Sequence, residues 1–314
     1  MKHTAFRLIA AAGLLGLVWI FADGRAALAR IMAADWRWLV AAALMVNAQT
    51  VLSAERWRIT AGALGQTIGR AQAVGEYYLS QLVNQTAPGG VLGDAGRAVR
   101  ARHSADLLRS SQAVIIERFA GQIAMALVLL PALVWTGRWQ WALTVAMIAA
   151  AVAMIARAVP RLRGLRAPLH AALIAPDMRG PQIALGLAIV ACNLASFAFC
   201  ARAIGTALPL GAVLTVIPLI LTAMLMPLSV AGWGWREGAA AALFPMFGAA
   251  PEAGLAASAA FGAVLLACTL PGLIWITLRK PSPPAPREIA TDQTVADITT
   301  RPISPHKQGD AHDI

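Results

Sequence analysis

The sequence predicts an all-α polytopic membrane protein, and its composition and its long apolar runs both support this fold class. Hydrophobic residues make up 59% of the 314 residues and charged residues only 13%, with a mean hydropathy of +0.65. A soluble domain needs more polar surface than this composition supplies. We therefore predict about six full transmembrane helices plus two re-entrant helical hairpins.

The predicted full spans are stretches that contain no Asp, Glu, Lys or Arg. A helix of about 20 apolar residues crosses a bilayer, and most of these stretches approach or exceed that length. Two further apolar segments, 77–93 and 203–251, are not simple spans. The predicted full spans are residues 8–22, 38–54, 119–137, 139–156, 180–201 and 253–278.

The formal net charge of +11 is concentrated in the predicted loops, and this distribution argues against nucleic acid as a partner. The positive-inside bias places such basic loops in the cytoplasm. With Lys2 and Arg7 on the same side, we expect an inner-membrane protein whose N- and C-termini are both cytoplasmic. The four basic patches are Arg56, Arg58 and Arg70; Arg97, Arg100, Arg102 and Arg109; Arg157, Arg161, Arg163, Arg166 and Arg179; and Arg279, Lys280 and Arg287.

The segment 77–93 lies between two of these patches, so it must enter the membrane and return to the same face. Its sequence supports a reversal, because Pro88 lacks a backbone donor while Gly89 and Gly90 tolerate unusual backbone angles. Asn84 can satisfy freed backbone groups. Irregular backbone at membrane depth is tolerated only beside protein or a water-filled cavity, so we expect this hairpin to line a cavity.

The segment 203–251 is predicted to dip in from the opposite face. Prolines interrupt its first limb, and the stretch 226–238, MPLSVAGWGWREG, breaks the apolar run with glycines and carries Arg236 and Glu237 at membrane depth. A charged residue there is costly unless it faces protein or water. Two breaks entering from opposite faces suggest an inverted repeat, as in transporters with a midplane site.

The two ends of the chain carry separate expectations. Residues 1–29 also fit a cleaved signal peptide, although Asp23 and Arg25 weaken that alternative. Residues 1–280 are expected to form the transmembrane domain. The polar, proline-rich residues 281–314 are expected to form a disordered cytoplasmic tail.

Metal and cofactor chemistry is not indicated by the sequence. The histidines are scattered through loops and the tail, and nucleotide-binding, zinc-protease and serine-hydrolase motifs are missing. The cysteines fall in apolar spans and are read as small core residues. No metal, cofactor or catalytic residue is predicted. The cysteines are Cys192, Cys200 and Cys268.

Three segments carry a family resemblance: SQLVNQTAPGGVLGDAGRAVR at 80–100, VIIERFAG at 114–121 and PLSVAGWGWREGA at 227–239. In their order and separation they resemble the flippase-like transmembrane domain family. That family occurs in lysylphosphatidylglycerol synthases and in many stand-alone bacterial and archaeal membrane proteins. The resemblance covers residues 5–280.

The resemblance implies a lipid-handling membrane domain, which in some members moves a charged phospholipid between leaflets. We expect no aminoacyl-transferase domain here, since the predicted tail is too short to form one. Translocation is therefore favoured over lipid aminoacylation. Related stand-alone proteins have also been linked with lipid glycosylation and with hopanoid pathways, which leaves an enzymatic alternative open.

The first hairpin supplies the first candidate site. Asp94 and Arg97 are three residues apart and are expected to pair on one helix face, with Asp94 as the N-cap. The structural alternative is a surface pair that caps an interfacial helix. The functional interpretation makes Arg97, together with Arg100, a ligand for a lipid phosphate through its forked donors.

Glu117 and Arg118 enter the membrane after a polar approach. They can remain near the interface, where Arg118 reaches the headgroups. Adjacent helical residues point in different directions, so the two are not expected to pair with each other. The predicted partner of Glu117 is an arginine of the first hairpin.

Arg236 and Glu237 form the second candidate site, in which Arg236 binds a lipid phosphate while Glu237 orients it or exchanges a proton. The alternatives are a buried structural pair and a shallower position, with Trp233 and Trp235 as interfacial anchors. Helix N-termini near both breaks add partial positive charge. The full predicted substrate-binding set is Asn84, Pro88, Gly89, Gly90, Asp94, Arg97, Glu117, Arg118, Ser229, Gly232, Gly234, Arg236 and Glu237.

The predicted function is transport of an anionic or phosphate-bearing amphipathic lipid between leaflets, by alternating access of two halves. The expected partner is a membrane lipid with a phosphate or charged headgroup. One alternative is an enzyme that transfers a headgroup or sugar in lipid biosynthesis, with Asp94, Glu117 or Glu237 as general base. Another is a scaffold that holds lipid-biosynthesis proteins through its basic loops.

Overall fold

The chain folds into helices in the part that the computed structural model describes, which is residues 16–17, 19–87, 90–102, 106–159, 164–224 and 232–278. No strand occurs in these ranges. The predicted span 8–22 and the predicted tail 281–314 lie wholly or largely outside them. The all-α class is confirmed.

From Gly24 onward, the described residues form twelve α-helices, numbered in chain order. A π-helical turn, His170–Ile174, precedes α8, and a 3₁₀ turn, Phe244–Phe247, follows α10. The helices are α1 Gly24–Met32, α2 Trp36–Ala63, α3 Arg70–Thr86, α4 Leu92–Ala101, α5 Leu107–Trp135, α6 Trp139–Ala158, α7 Arg166–Leu169, α8 Pro176–Ala203, α9 Leu210–Ala223, α10 Trp235–Leu243, α11 Pro251–Cys268 and α12 Pro271–Leu278.

Four helical stretches in the described residues are long and apolar enough to cross a membrane. They are α2, α5, α8 and the stretch Pro251–Thr277, each 27 to 29 residues long. A helix of 28 residues is about 42 Å long, which exceeds the hydrocarbon core of a bilayer. The protein is therefore a multi-pass membrane protein. Two further helices are apolar over shorter stretches, α6 over Trp139–Met154 and α9 over Leu210–Ala223.

Helices α2 and α8 run antiparallel at the centre of the molecule. The amide of Asp35, just before α2, donates to the carbonyl of Ala203 at the end of α8 (2.9 Å). Near the opposite end, the Gln182 side chain donates to the Thr60 hydroxyl (2.9 Å). Beside them, an apolar core contains Phe197 packed against Phe244 and Phe261.

Both central helices end in the same way. A glycine follows each one with a positive φ, +80° at Gly65 and +84° at Gly205. The next amide reaches back to the carbonyl five residues earlier, from Gln66 to Ala61 (3.0 Å) and from Thr206 to Ala201 (2.9 Å). This is the Schellman arrangement, and only glycine adopts its left-handed position without strain.

Each central helix is followed by a helix–break–helix unit, formed by α3 and α4 after α2, and by α9 and α10 after α8. Glycines permit close packing at both units. A Cβ at Gly93 would overlap the Ser80 carbonyl of α3, and a Cβ at Gly254 of α11 would overlap the Ala240 carbonyl of α10. The chain thus repeats one pattern of a long helix, a glycine turn and an interrupted pair.

Several arginines that the sequence assigned to basic loops lie within helices instead. Arg56 and Arg58 belong to the last two turns of α2, Arg97 and Arg100 to α4, and Arg109 to α5. The assignment was wrong for these residues because helices continue beyond the uncharged stretches. Arg56 in particular is buried rather than solvated.

Candidate functional site

The first cluster of buried charges forms where α2, α3, α4 and α5 meet, and Glu117 of α5 lies at its centre. Arg56 of α2 donates to Glu117 Oε1 (2.8 Å), and Arg97 of α4 donates to Oε2 (3.3 Å). The Tyr77 hydroxyl of α3 donates to Oε1 (3.3 Å). One carboxylate therefore joins four helices, and its predicted pairing with an arginine of the first hairpin is confirmed.

Asp94 is the second carboxylate of this cluster. Arg97 donates to its Oδ1 (3.0 Å), and Arg118 lies 2.7 Å from its Oδ2. Ser80 and Asn84 of α3 donate to the two oxygens (3.1 and 3.2 Å). Two guanidinium groups and two neutral donors stabilise the charged form of the Asp94 carboxyl. Asp94 is thus a carboxylate.

The predicted pairing of Asp94 with Arg97 is confirmed, whereas the predicted N-cap role of Asp94 is wrong. Helix α4 begins at Leu92 with Val91 as its N-cap, so Asp94 occupies the third helical position. There it faces the guanidinium groups rather than the first amides of the helix. The other hairpin arginine, Arg100, pairs instead with Glu76 of α3.

Arg97 is fully buried between two aromatic rings. Its guanidinium carbon lies 4.6 Å from the Trp57 ring centre and 4.5 Å from that of Tyr77. Aromatic faces stabilise a desolvated guanidinium and fix its plane. Two of its nitrogens, Nε and Nη1, have no hydrogen-bond partner among the described residues, and the same is true of Nε and Nη1 of Arg56.

The cluster has more positive than negative charge. Arg56, Arg97 and Arg118 contribute three guanidinium groups, and Asp94 and Glu117 contribute two carboxylates, which leaves one positive charge in excess. Most of the cluster is buried, but the Arg118 side chain is 48% exposed. The cluster therefore has unused donors, an excess charge and one side chain that reaches its surface.

The second cluster forms between α10 and α11 around Arg236 and Glu237. Glu237 Oε1 accepts from Nε (3.0 Å) and Nη2 (2.6 Å) of Arg236, and the Ser258 hydroxyl of α11 lies within 3.0 Å of both residues. The Gly234 amide donates to Glu237 Oε2 (2.7 Å). Both charges are buried, and the predicted structural pairing is observed.

The second cluster is neutral and tightly enclosed. The centre of the Trp233 ring lies 4.9 Å from the Arg236 guanidinium carbon, so this ring packs on the charged group. A Cβ at Gly262 would overlap both Arg236 and Trp233. One nitrogen of Arg236, Nη1, has no hydrogen-bond partner among the described residues.

The two clusters lie toward opposite ends of the long central helix α2. Helix α11 runs alongside α2 in the same general direction, because Glu252 pairs with Arg30 of α1 while Cys268 contacts Asn47 of α2. Arg56 is seven residues from the end of α2, about 10 Å, and Ser258 is seven residues from the start of α11, also about 10 Å.

Three glycines of the predicted set lie in the described parts of the breaks. Gly90, Gly232 and Gly234 have φ values of +63°, +82° and +89°, so each adopts the region that favours glycine. A Cβ at Gly232 would also crowd Met224 at 2.8 to 3.0 Å. Pro88, Gly89 and Ser229 lie outside the described residues.

Sequence reasoning missed Arg56, Trp57, Tyr77, Ser80 and Ser258. A signal for Arg56 was present, because Ser53 and Thr60 lie one turn before and after it. A polar residue at each turn marks a buried polar face on an otherwise apolar helix. The other four become recognisable only when distant helices are brought together.

Comparison with known protein families gives a match over residues 6–272 to the family described as Lysylphosphatidylglycerol synthase TM region. The chain belongs to this family. Membership relates this membrane protein to lipid modification or flipping. The three resembling segments fall inside the matched range, and they contain the acidic and basic side chains of both clusters except Arg56. Searches of curated proteins and of solved structures gave no match.

Proposed function

We propose that this member of the family is a lipid transporter of the inner membrane, which moves an anionic or phosphate-bearing lipid between leaflets. The observation that carries the proposal is the first cluster, with its excess positive charge and its unpartnered guanidinium nitrogens on Arg56 and Arg97. A phosphate accepts forked hydrogen bonds from such groups.

The half-exposed Arg118 provides the entry to this site. Its guanidinium is shared with Asp94, so it can turn toward a phosphate while Asp94 keeps its bonds to Arg97 and Ser80. The acyl chains stay in the bilayer in this arrangement. Asn84 and Gly90 complete the mouth of the site.

We propose further that the two helix–break–helix units are re-entrant hairpins that enter from opposite faces. Their matching glycine turns and interrupted helices support an inverted repeat. In this arrangement the second cluster lies toward the outer face, where its buried ion pair holds α10 against α11. Both termini are then cytoplasmic.

The geometry argues against the enzymatic alternative. Asp94, Glu117 and Glu237, the candidate general bases, are each held by at least one guanidinium group. Carboxylate oxygens that already accept hydrogen bonds from guanidinium groups are not free to take a proton from a substrate.

Proteoliposomes test the proposal. Purified protein in phosphatidylcholine vesicles with trace phosphatidylglycerol, labelled on its acyl chain with a fluorophore that dithionite bleaches, should make the inner-leaflet label accessible faster than empty vesicles do. Mass spectrometry should find the phosphatidylglycerol unchanged. Transfer no faster than in empty vesicles, or a lipid of altered mass that requires wild-type protein and a donor, would contradict transport.

A further inference from the structure

A seam of neutral polar side chains runs between α2 and α3, next to the first cluster. Gln49, Thr50 and Ser53 contribute from α2, and Gln81 and Asn84 from α3; these five residues are called the amide–hydroxyl seam. Thr50 Oγ1 lies 3.1 Å from Gln81 Oε1, and Gln49 Nε2 donates to Ser53 Oγ (3.1 Å). The seam lies between the membrane-length helix α2 and the more polar α3, and polar side chains at membrane depth need a partner or water.

The seam is continuous with the arginine cluster. On α2, Ser53 precedes Arg56 by three residues, and on α3, Gln81 follows Tyr77 by four, so each pair shares a helix face. Asn84 contacts Asp94 directly (3.2 Å). When the lipid phosphate binds the arginines, the headgroup atoms beyond the phosphate therefore lie beside the seam.

The seam offers hydrogen bonds without charge. Gln49, Gln81 and Asn84 are half-buried, and a side-chain amide both donates and accepts hydrogen bonds. The Asn84 amide already donates to Asp94 and accepts from the Gly93 amide, so Gln49 and Gln81 are the seam amides proposed to meet the headgroup. Hydroxyl groups match this capacity, because they also donate and accept.

No carboxylate in the described parts of α2 to α5 and their connecting loops is free to bind a cationic group of a lipid headgroup. Each carboxylate there has an arginine partner, and the first cluster has an excess of positive charge. An ammonium group on the headgroup would therefore find repulsion without a counter-ion. The paired carboxylates are Glu55, Glu76, Asp94, Asp106 and Glu117.

We infer that the lipid handled by this protein is an anion whose headgroup carries hydroxyl groups beyond its phosphate and no amine, a polyol phosphate lipid. This inference rests on the proposed transport function. The arginines bind the phosphate, the seam binds the hydroxyl groups, and the excess positive charge rejects an aminated headgroup.

The first test compares headgroups in the same vesicles. Acyl-labelled phosphatidylglycerol should cross at least about tenfold faster than acyl-labelled phosphatidylethanolamine, because the site leaves the ammonium group unpaired. Equal rates for the two lipids would overturn the polyol inference and leave transport standing. If neither lipid moves faster than in empty vesicles, the proposed function itself fails.

The second test removes one seam group. Gln81→Leu should slow phosphatidylglycerol roughly tenfold and leave phosphatidic acid, which has the phosphate without the alcohol, at its wild-type rate. Gln140→Leu, the same change at an exposed position of α6, is the matched control and should alter neither rate.

Equal slowing of both lipids by Gln81→Leu would mean that the seam is structural and would overturn the inference. If that variant does not yield monodisperse protein, Ser53→Ala removes a single hydroxyl group from the same seam. Its phosphatidylglycerol and phosphatidic acid rates are then compared in the same way. An unchanged phosphatidylglycerol rate in the tested variant would also count against the inference.

Discussion

The two buried clusters use the same residue types and differ in charge balance and enclosure. Around Glu117, three arginines face two carboxylates, one arginine is half-exposed, and Arg56 and Arg97 keep unpartnered nitrogens. Around Glu237, one arginine faces one carboxylate, and Ser258 and the Gly234 amide complete the bonding. The first cluster is suited to bind an anion, while the second is largely satisfied by its own residues.

A buried arginine in a membrane protein therefore does not mark a ligand site by itself. Burial is costly for both clusters. In the second, the cost is offset inside the protein by a short ion pair and a helix cap. In the first, donors and charge are left over, and a lipid phosphate would use them.

The largest effect is expected for Glu237→Gln, measured as stability. The change leaves the Arg236 guanidinium buried without a counter-charge, which costs about 3 to 5 kcal/mol for a buried pair. Thermal unfolding in detergent should therefore occur at a clearly lower temperature. Glu252→Gln, in a partly exposed pair with Arg30, is the control and should change stability by less than about 1 kcal/mol. Equal effects of the two changes would refute the closed second cluster.

A smaller effect is expected for Arg97→Lys, measured as transport of phosphatidylglycerol in vesicles. Lysine keeps the charge but loses the forked donors held between Trp57 and Tyr77, so the rate should fall about 10- to 100-fold, equivalent to about one charged hydrogen bond. Arg100→Lys is the matched control, since Arg100 pairs with Glu76. An Arg97→Lys protein with wild-type rates would remove Arg97 from the site.

The next effect is a loss of stability when the closely packed glycines Gly93 and Gly254 are replaced, and it should be similar at the two positions. Gly93→Ala and Gly254→Ala each force a methyl group against a backbone carbonyl, and overpacking of this kind costs about 1 to 3 kcal/mol. Gly62→Ala, at a helical position with open space, should be neutral or stabilising. Unfolding temperatures of the three variants provide the measurement. Wild-type stability of Gly93→Ala would contradict the close contact of α3 with α4.

The smallest effect is expected for Arg118→Gln. Its side chain is 48% exposed, and Asp94 keeps its bonds to Arg97, Ser80 and Asn84, so the loss of Arg118 should change stability by less than about 1 kcal/mol. Lipid transport should slow more than stability falls, since the entry charge is lost. A variant that unfolds easily would show that Arg118 is structural rather than an entry residue.

Much of the fold followed from the sequence because membrane insertion imposes strong local rules. Apolar length predicted helical spans, and the spacing of Asp94 and Arg97 predicted their pairing through helix geometry alone. Arg56 was misassigned because charge was read by position along the chain, whereas its role depends on which helix face it occupies. The N-cap assignment of Asp94 failed because α4 begins two residues earlier, a boundary that depends on the break before it.

Residues such as Tyr77 and Ser258 could not be predicted as parts of the clusters. Each is joined to its carboxylate by packing of separate helices, and no local pattern encodes that contact. The relation between the two clusters was likewise visible only after α2 and α11 were seen to run side by side.

The most direct test of the central claim is the amount of phosphatidylglycerol retained by purified protein, measured by mass spectrometry for wild type, Arg97→Lys and Arg236→Lys in the same detergent. Both variants keep the charge and lose the guanidinium fork. We predict that Arg97→Lys loses most of the bound lipid while a monodisperse Arg236→Lys retains most of it. Equal retention by Arg97→Lys and wild type, or loss only in Arg236→Lys, would contradict the assignment of the lipid phosphate to the first cluster.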